Sequence, residues 1–135
     1  MNHRYVIYSL GKLLQVMGLI MFIPCGISFY EQMRFPDNPF LKAELLGFVV
    51  AIVISFFSGT LLEWLFRKDR GLINVREGFA IVTFGWIILT LVGAIPFFVY
   101  FVSHQYTLAI PILLDCFTNS CFEIMSGFTT TGATI

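Results

Sequence analysis

Near the end of the chain stands Gly127-Phe-Thr-Thr-Thr-Gly-Ala-Thr-Ile135, whose chemistry lies in its main chain. Three successive threonines are poor helix formers, and Gly132 offers a backbone position free to take positive φ. The stretch is expected to be extended or irregular, with carbonyl oxygens that find no amide partner. Such oxygens are good ligands for a hard monovalent cation, because a ring of them can replace its hydration shell. A Thr-rich stretch with a glycine is also an ordinary surface loop, so its surroundings decide between the two.

The other residues capable of chemistry form no constellation. Cys25, Cys116 and Cys121 are not spaced as a ligand set and read as small buried fillers. His3 and His104 fall at opposite ends of the hydrophobic pattern and cannot share a site. No nucleophile paired with a base and no phosphate-binding loop is present, so a membrane enzyme has little to stand on. Net charge is zero, which gives no electrostatic field for nucleic acid.

The surroundings are apolar. Hydrophobic residues make up 58% of the chain and charged residues 12%, with a mean hydropathy of +0.87. Soluble domains carry about 25% charged residues, so half the usual polar coat is absent and lipid is the expected solvent. Three stretches reach the roughly 20 apolar residues that cross a bilayer: Tyr5 to Phe29, Leu45 to Phe66 and Phe79 to Val102. The first is too long for a signal peptide and lacks a small-residue cleavage site.

The loops orient these spans. Arg34-Phe-Pro-Asp-Asn-Pro-Phe40 is a turn-forming connection. Arg67-Lys-Asp-Arg-Gly71 with Arg76 makes a short basic loop, which is expected to stay cytoplasmic. The N-terminus is then cytoplasmic, and the Pro36/Pro39 loop and the region after Val102 face outward. Glu63 is expected to pair with Arg67 one turn on, Lys12 to snorkel to the headgroups, and Gln15 to bond a neighbouring helix. Ser55 with Gly59, and Gly85 with Gly93, place small residues on single helix faces where backbones can approach. Pro96 is expected to kink the third span.

A shorter helix, Pro111 to Gly127, precedes the threonine run. Pro111 suits its first position and Asp115 the positive end of its dipole. Its length and its polar residues Thr118, Asn119, Ser120 and Glu123 fit a re-entrant helix better than a span. If it ends partway through the bilayer, the irregular segment lies at membrane depth, where bare backbone is tolerated only inside protein or along an aqueous cavity. The fold class expected is an all-α membrane protein with three transmembrane helices, one re-entrant pore helix and an extended filter segment.

Glu123-Ile-Met-Ser-Gly-Phe-Thr-Thr-Thr-Gly-Ala-Thr134 closely resembles the first pore helix and filter of the Trk/Ktr family of potassium-uptake proteins. Arg76-Glu-Gly-Phe79, Trp86 and Gly93-Ala-Ile-Pro-Phe97 resemble the outer helix before it, and residues 1–70 are similar, more loosely, to the N-terminal helix pair of the TrkH-type branch. The resemblance implies two parts: the helix pair over 1–70, and the outer helix, pore helix and filter over 71–135. It implies potassium as the transported ion, coordinated by the carbonyls of Thr130 and Thr131, with Thr129, Gly132 and Ala133 completing this quarter of the filter. It further implies a multi-pass protein of the bacterial inner membrane, a homodimer, and a cytosolic nucleotide-binding regulatory subunit. Glu123 is expected either to brace the filter by accepting backbone amides or to pair with a basic residue absent from the chain. The family has four helix–pore loop–helix repeats, and the inner helix and the later repeats do not follow here. This stretch alone is therefore expected not to conduct, and to be part of a longer protein or a truncated gene. The competing reading is a non-conducting membrane assembly or regulatory subunit.

Overall fold

The computed structural model describes residues 3–66, 75–105 and 109–134. Its elements are α-helices: α1 (His3–Arg34), α2 (Pro39–Phe66), α3 (Val75–Ser103) and α4 (Ile110–Phe128). The first three are long and apolar enough to cross a membrane. They contain the three stretches expected and extend each by a few residues. Helices α1 and α3 run through internal prolines, Pro24 and Pro96, without a break.

Most of their surface is apolar and exposed, including Phe57 at 72% and Trp64 at 73%. No aqueous fold tolerates so much bare aromatic surface, whereas a lipid-facing helix requires it. The fold is that of an all-α membrane protein.

Interhelix contacts give the topology. Gly11 of α1 lies against Gly59 of α2, and Gly18 against Ser55 and Phe56, so the two run antiparallel. Gly47 of α2 abuts Pro96 of α3, and the Phe40 ring stacks on His104 at 4.0 Å, so α2 and α3 are antiparallel as well. The bundle runs up, down, up. The Arg34–Phe40 connection and His104 share one end, as the loop chemistry implied, while His3 lies at the other. Where apolar burial is shared by every helix and by lipid, small residues decide the contacts, because they let dispersion act between close backbones.

The core sits between Met17 and Met21 of α1 and Ala51 and Ile52 of α2, with Leu89 and Ile95 of α3 and Phe128 of α4 packed against it. At one end, Lys12 Nζ lies 3.0 Å from Glu63 Oε1, and Gln15 Nε2 donates to Glu63 Oε2 at 3.0 Å. Lys12 thus links α1 to α2 through this carboxylate while half of its side chain stays exposed. Gln15 bonds its neighbour as expected. Arg67, the partner expected for Glu63, lies outside the described residues. Glu77 opens α3, where a carboxylate suits the positive helix end, and is 2% exposed.

Candidate pore helix and filter segment

Helix α4 folds back along α3. Phe117 meets Phe98 edge-on at 6.4 Å, Ile124 fills the space over Gly93, Met125 Sδ lies 2.7 Å from Thr90 Oγ1, and Phe128 meets Trp86 at 6.1 Å. As residue numbers rise in α4 they fall in α3, so the two are antiparallel. Helix α4 ends level with Trp86, about 17 Å short of the start of α3 at the helical rise of 1.5 Å per residue. It therefore starts near one end of the bundle and stops partway down it.

Its boundaries follow from local chemistry. Ala109 is the N-cap, extended and without a side-chain cap, and Pro111 occupies the second helical position, where its lost N–H would have had no partner. Asp115 falls beyond the first turn, which contains no acid; the dipole effect fades within that turn, so the expected N-terminal role of Asp115 is corrected. At the other end the amide of Thr131 donates to Ser126 O (3.1 Å) and that of Thr130 to Gly127 O (3.2 Å). Together these bonds form a Schellman cap. Its left-handed position, normally a glycine, is Thr130 at φ 55°.

Gly132 has φ 68°, the positive value its lack of a Cβ allows. Two left-handed residues two apart make Thr130–Ala133 a crooked segment, neither helix nor strand. Thr129 to Gly132 are exposed and Ala133 is half-buried. Among the described residues no group donates to the carbonyls of Thr130, Thr131 or Gly132. The carbonyl of Ala133 accepts from Ser126 Oγ at 2.6 Å, and that of Thr129 from Thr130 Oγ1 at 2.7 Å. The residues named from sequence are thus contiguous at the end of α4, but their carbonyls are not equivalent.

The amides of Thr129, Thr130 and Thr131 all serve helix carbonyls, so Glu123 does not brace the segment through these three. Glu123 lines a cavity of about 400 Å³ between α2, α3 and α4, together with Glu44, Phe48, Phe97 and Tyr100. Cys116 is buried in α4 and Cys25 and Cys121 are half-buried, as small fillers would be. Among the described residues no three His, Cys, Asp or Glu side chains gather to hold a metal ion. Sequence reasoning missed Ser126, since a lone helical serine gives no sign of reaching forward to Ala133.

Three helices long and apolar enough to cross lipid, followed by a shorter helix that stops partway along the third, define a multi-pass membrane protein. Over 93 residues, 69% of the chain and 16% of the relative, the sequence is 41% identical to the Trk system potassium uptake protein TrkH of Escherichia coli. Over all 135 residues it is 33% identical to the TrkH protein of Halomonas elongata, covering 24% of that protein. It is 27% identical over 133 residues to the Trk system potassium uptake protein TrkG of Escherichia coli. No family model matches the chain, and no solved structure does. The chain belongs to the TrkH-type family, and it spans less than a quarter of the length of these relatives.

Proposed function

We propose that this stretch forms part of a potassium uptake pathway across the bacterial inner membrane and supplies one quarter of its ion-coordinating ring. The carbonyls of Thr130 and Thr131 coordinate dehydrated potassium, and Thr129, Gly132 and Ala133 complete the segment. Residues 1–70 form a peripheral helix pair, and residues 71–135 the outer helix, pore helix and filter of a first pore repeat. Helix α4 is re-entrant, entering from the outer face with the N-terminus and the Arg67–Arg76 loop in the cytoplasm. Further pore segments close the ring, in a homodimer governed by a cytosolic nucleotide-binding subunit, as the family resemblance implies.

One observation carries this reading: in a TrkH-type chain, α4 ends partway along α3 and hands over to three adjacent carbonyls to which no described residue donates. Bare carbonyls facing lipid cost several kcal/mol each, whereas a cation both satisfies them and is drawn by the negative helix C-terminus.

The test is Gly132→Ser in the full-length uptake protein. A Cβ at φ 68° is penalised by about 1–2 kcal/mol and turns the neighbouring carbonyls. The potassium-to-sodium uptake ratio, measured at matched membrane protein levels, should fall, while Thr131→Ser, which keeps the backbone, should be milder. An unaltered ratio in Gly132→Ser would remove the filter from this segment.

A further inference from the structure

Ser126 departs from a pattern that five other helical hydroxyls follow. Ser58, Thr83, Thr90, Thr118 and Ser120 each donate backward to the carbonyl four residues earlier, the usual resting place for such a group. Ser126, 8% exposed, donates forward across seven residues to Ala133 O at 2.6 Å. Its own carbonyl accepts the Thr131 amide at 3.1 Å. One residue in the last turn of α4 therefore fixes the segment at two points, Thr131 through its main chain and Ala133 through its side chain.

The space between these points holds Gly132, and Thr130 is set by the Schellman cap just before them. Thr129 adds a stitch, its Oγ1 lying 2.8 Å from both Met125 O and Thr131 Oγ1. The bonds divide the carbonyls into two groups. Those of Met125, Ser126, Gly127, Thr129 and Ala133 accept bonds within the segment and its helix, and those of Thr130, Thr131 and Gly132 receive none from the described residues.

We infer that Ser126 is a positioning residue for the ion-coordinating segment: it sets where the row of ligand carbonyls ends and keeps the Ala133 carbonyl out of it. This rests on the filter reading above. An ion ring discriminates by the number and placement of its oxygens. Releasing Ala133 frees an extra oxygen and lets Gly132, the most pliable residue in the row, change its orientation.

The experiment compares Ser126→Ala, Ser126→Thr and Gly132→Ser in the full-length uptake protein, with initial potassium and sodium uptake measured over a concentration series and normalised to membrane protein. Ser126→Ala should lower the potassium-to-sodium ratio about fivefold, matching loss of one hydrogen bond of about 1 kcal/mol, and raise the KM for potassium. Ser126→Thr, which keeps the hydroxyl, should restore the ratio. A purely structural role would lower the maximal rate and leave ratio and KM unchanged. If Ser126→Ala does not accumulate in the membrane, Ser126→Cys, close in size and a weak donor, carries the same measurement. A normal ratio in the Ser126 variants beside an altered one in Gly132→Ser overturns this inference and leaves the filter in place. A normal ratio in both overturns the filter reading and this inference with it.

Discussion

Gly11 and Gly59 meet backbone to backbone: a Cβ added to Gly59 would lie 2.7 Å from Gly11 O, and one added to Gly11 would lie 2.9 Å from Gly59 O. The contact is reciprocal, so neither residue can grow without parting α1 from α2. The same crossing brings Lys12 and Gln15 within reach of Glu63, which makes the close approach a precondition for that polar cluster.

Gly59→Leu should therefore destabilise the bundle by about 1–3 kcal/mol, the usual range for overpacking. Gly26 sits in the same bundle with nothing within 4 Å of an added Cβ, so Gly26→Leu should be close to neutral. Thermal unfolding in detergent, followed by loss of the monodisperse peak, separates the two.

The Lys12–Glu63 pair joins α1 to α2, with Lys12 52% and Glu63 24% exposed at the side chain. Lys12→Met leaves the carboxylate without this partner, and Glu63→Leu does the same to the ammonium. Each single change should destabilise more than Lys12→Met/Glu63→Leu together, with a coupling of about 1 kcal/mol. Additive losses in the double-mutant cycle would show that the pair contributes nothing.

At Gly93 an added Cβ would come within 2.7 Å of Ile124 Cγ1. Gly93→Leu should lift α4 from α3 and cost about 1–3 kcal/mol, and Ile124→Ala should recover part of it by vacating the space. Ion uptake by the full-length protein should follow stability in this pair, since the end of α4 carries the proposed filter segment. A double variant as unstable as Gly93→Leu alone would place the clash elsewhere.

Thr130 occupies the left-handed cap position at φ 55°, where a side chain costs roughly 1–2 kcal/mol. Thr130→Gly removes that strain, offset by about 0.5–1 kcal/mol of extra backbone entropy in the unfolded chain. A small net stabilisation is expected by thermal unfolding, the reverse of Gly132→Ala, which places a Cβ at φ 68° and should destabilise.

How much of this was legible from sequence differs by element. The spans were, because a bilayer demands length and apolarity, and both are visible in a one-dimensional pattern. The small residues were legible only in part. Gly59 and Gly93 are close contacts, but an added Cβ on Gly85 would meet Leu13 at 3.7 Å, an ordinary distance. Spacing shows which glycines share a face and not whether a neighbour stands over them. Glu63 shows what a local rule leaves out: Lys12 reaches it from another helix, a contact that no spacing along α2 could announce.

The threonine run and Gly132 declared an irregular segment by themselves, since backbone conformation is a local property of residue type. Which carbonyls stay open was settled by tertiary structure. The assignment depends on where α4 stops against Trp86, on a Schellman cap that passes over both glycines to use Thr130, and on Ser126 reaching Ala133. Sequence determined that this protein lives in lipid and ends its fourth helix in bare backbone, because hydrophobicity and propensity belong to residues one at a time. Only the fold decided which oxygens serve the scaffold and which face outward, because a hydrogen bond needs two groups brought together in space.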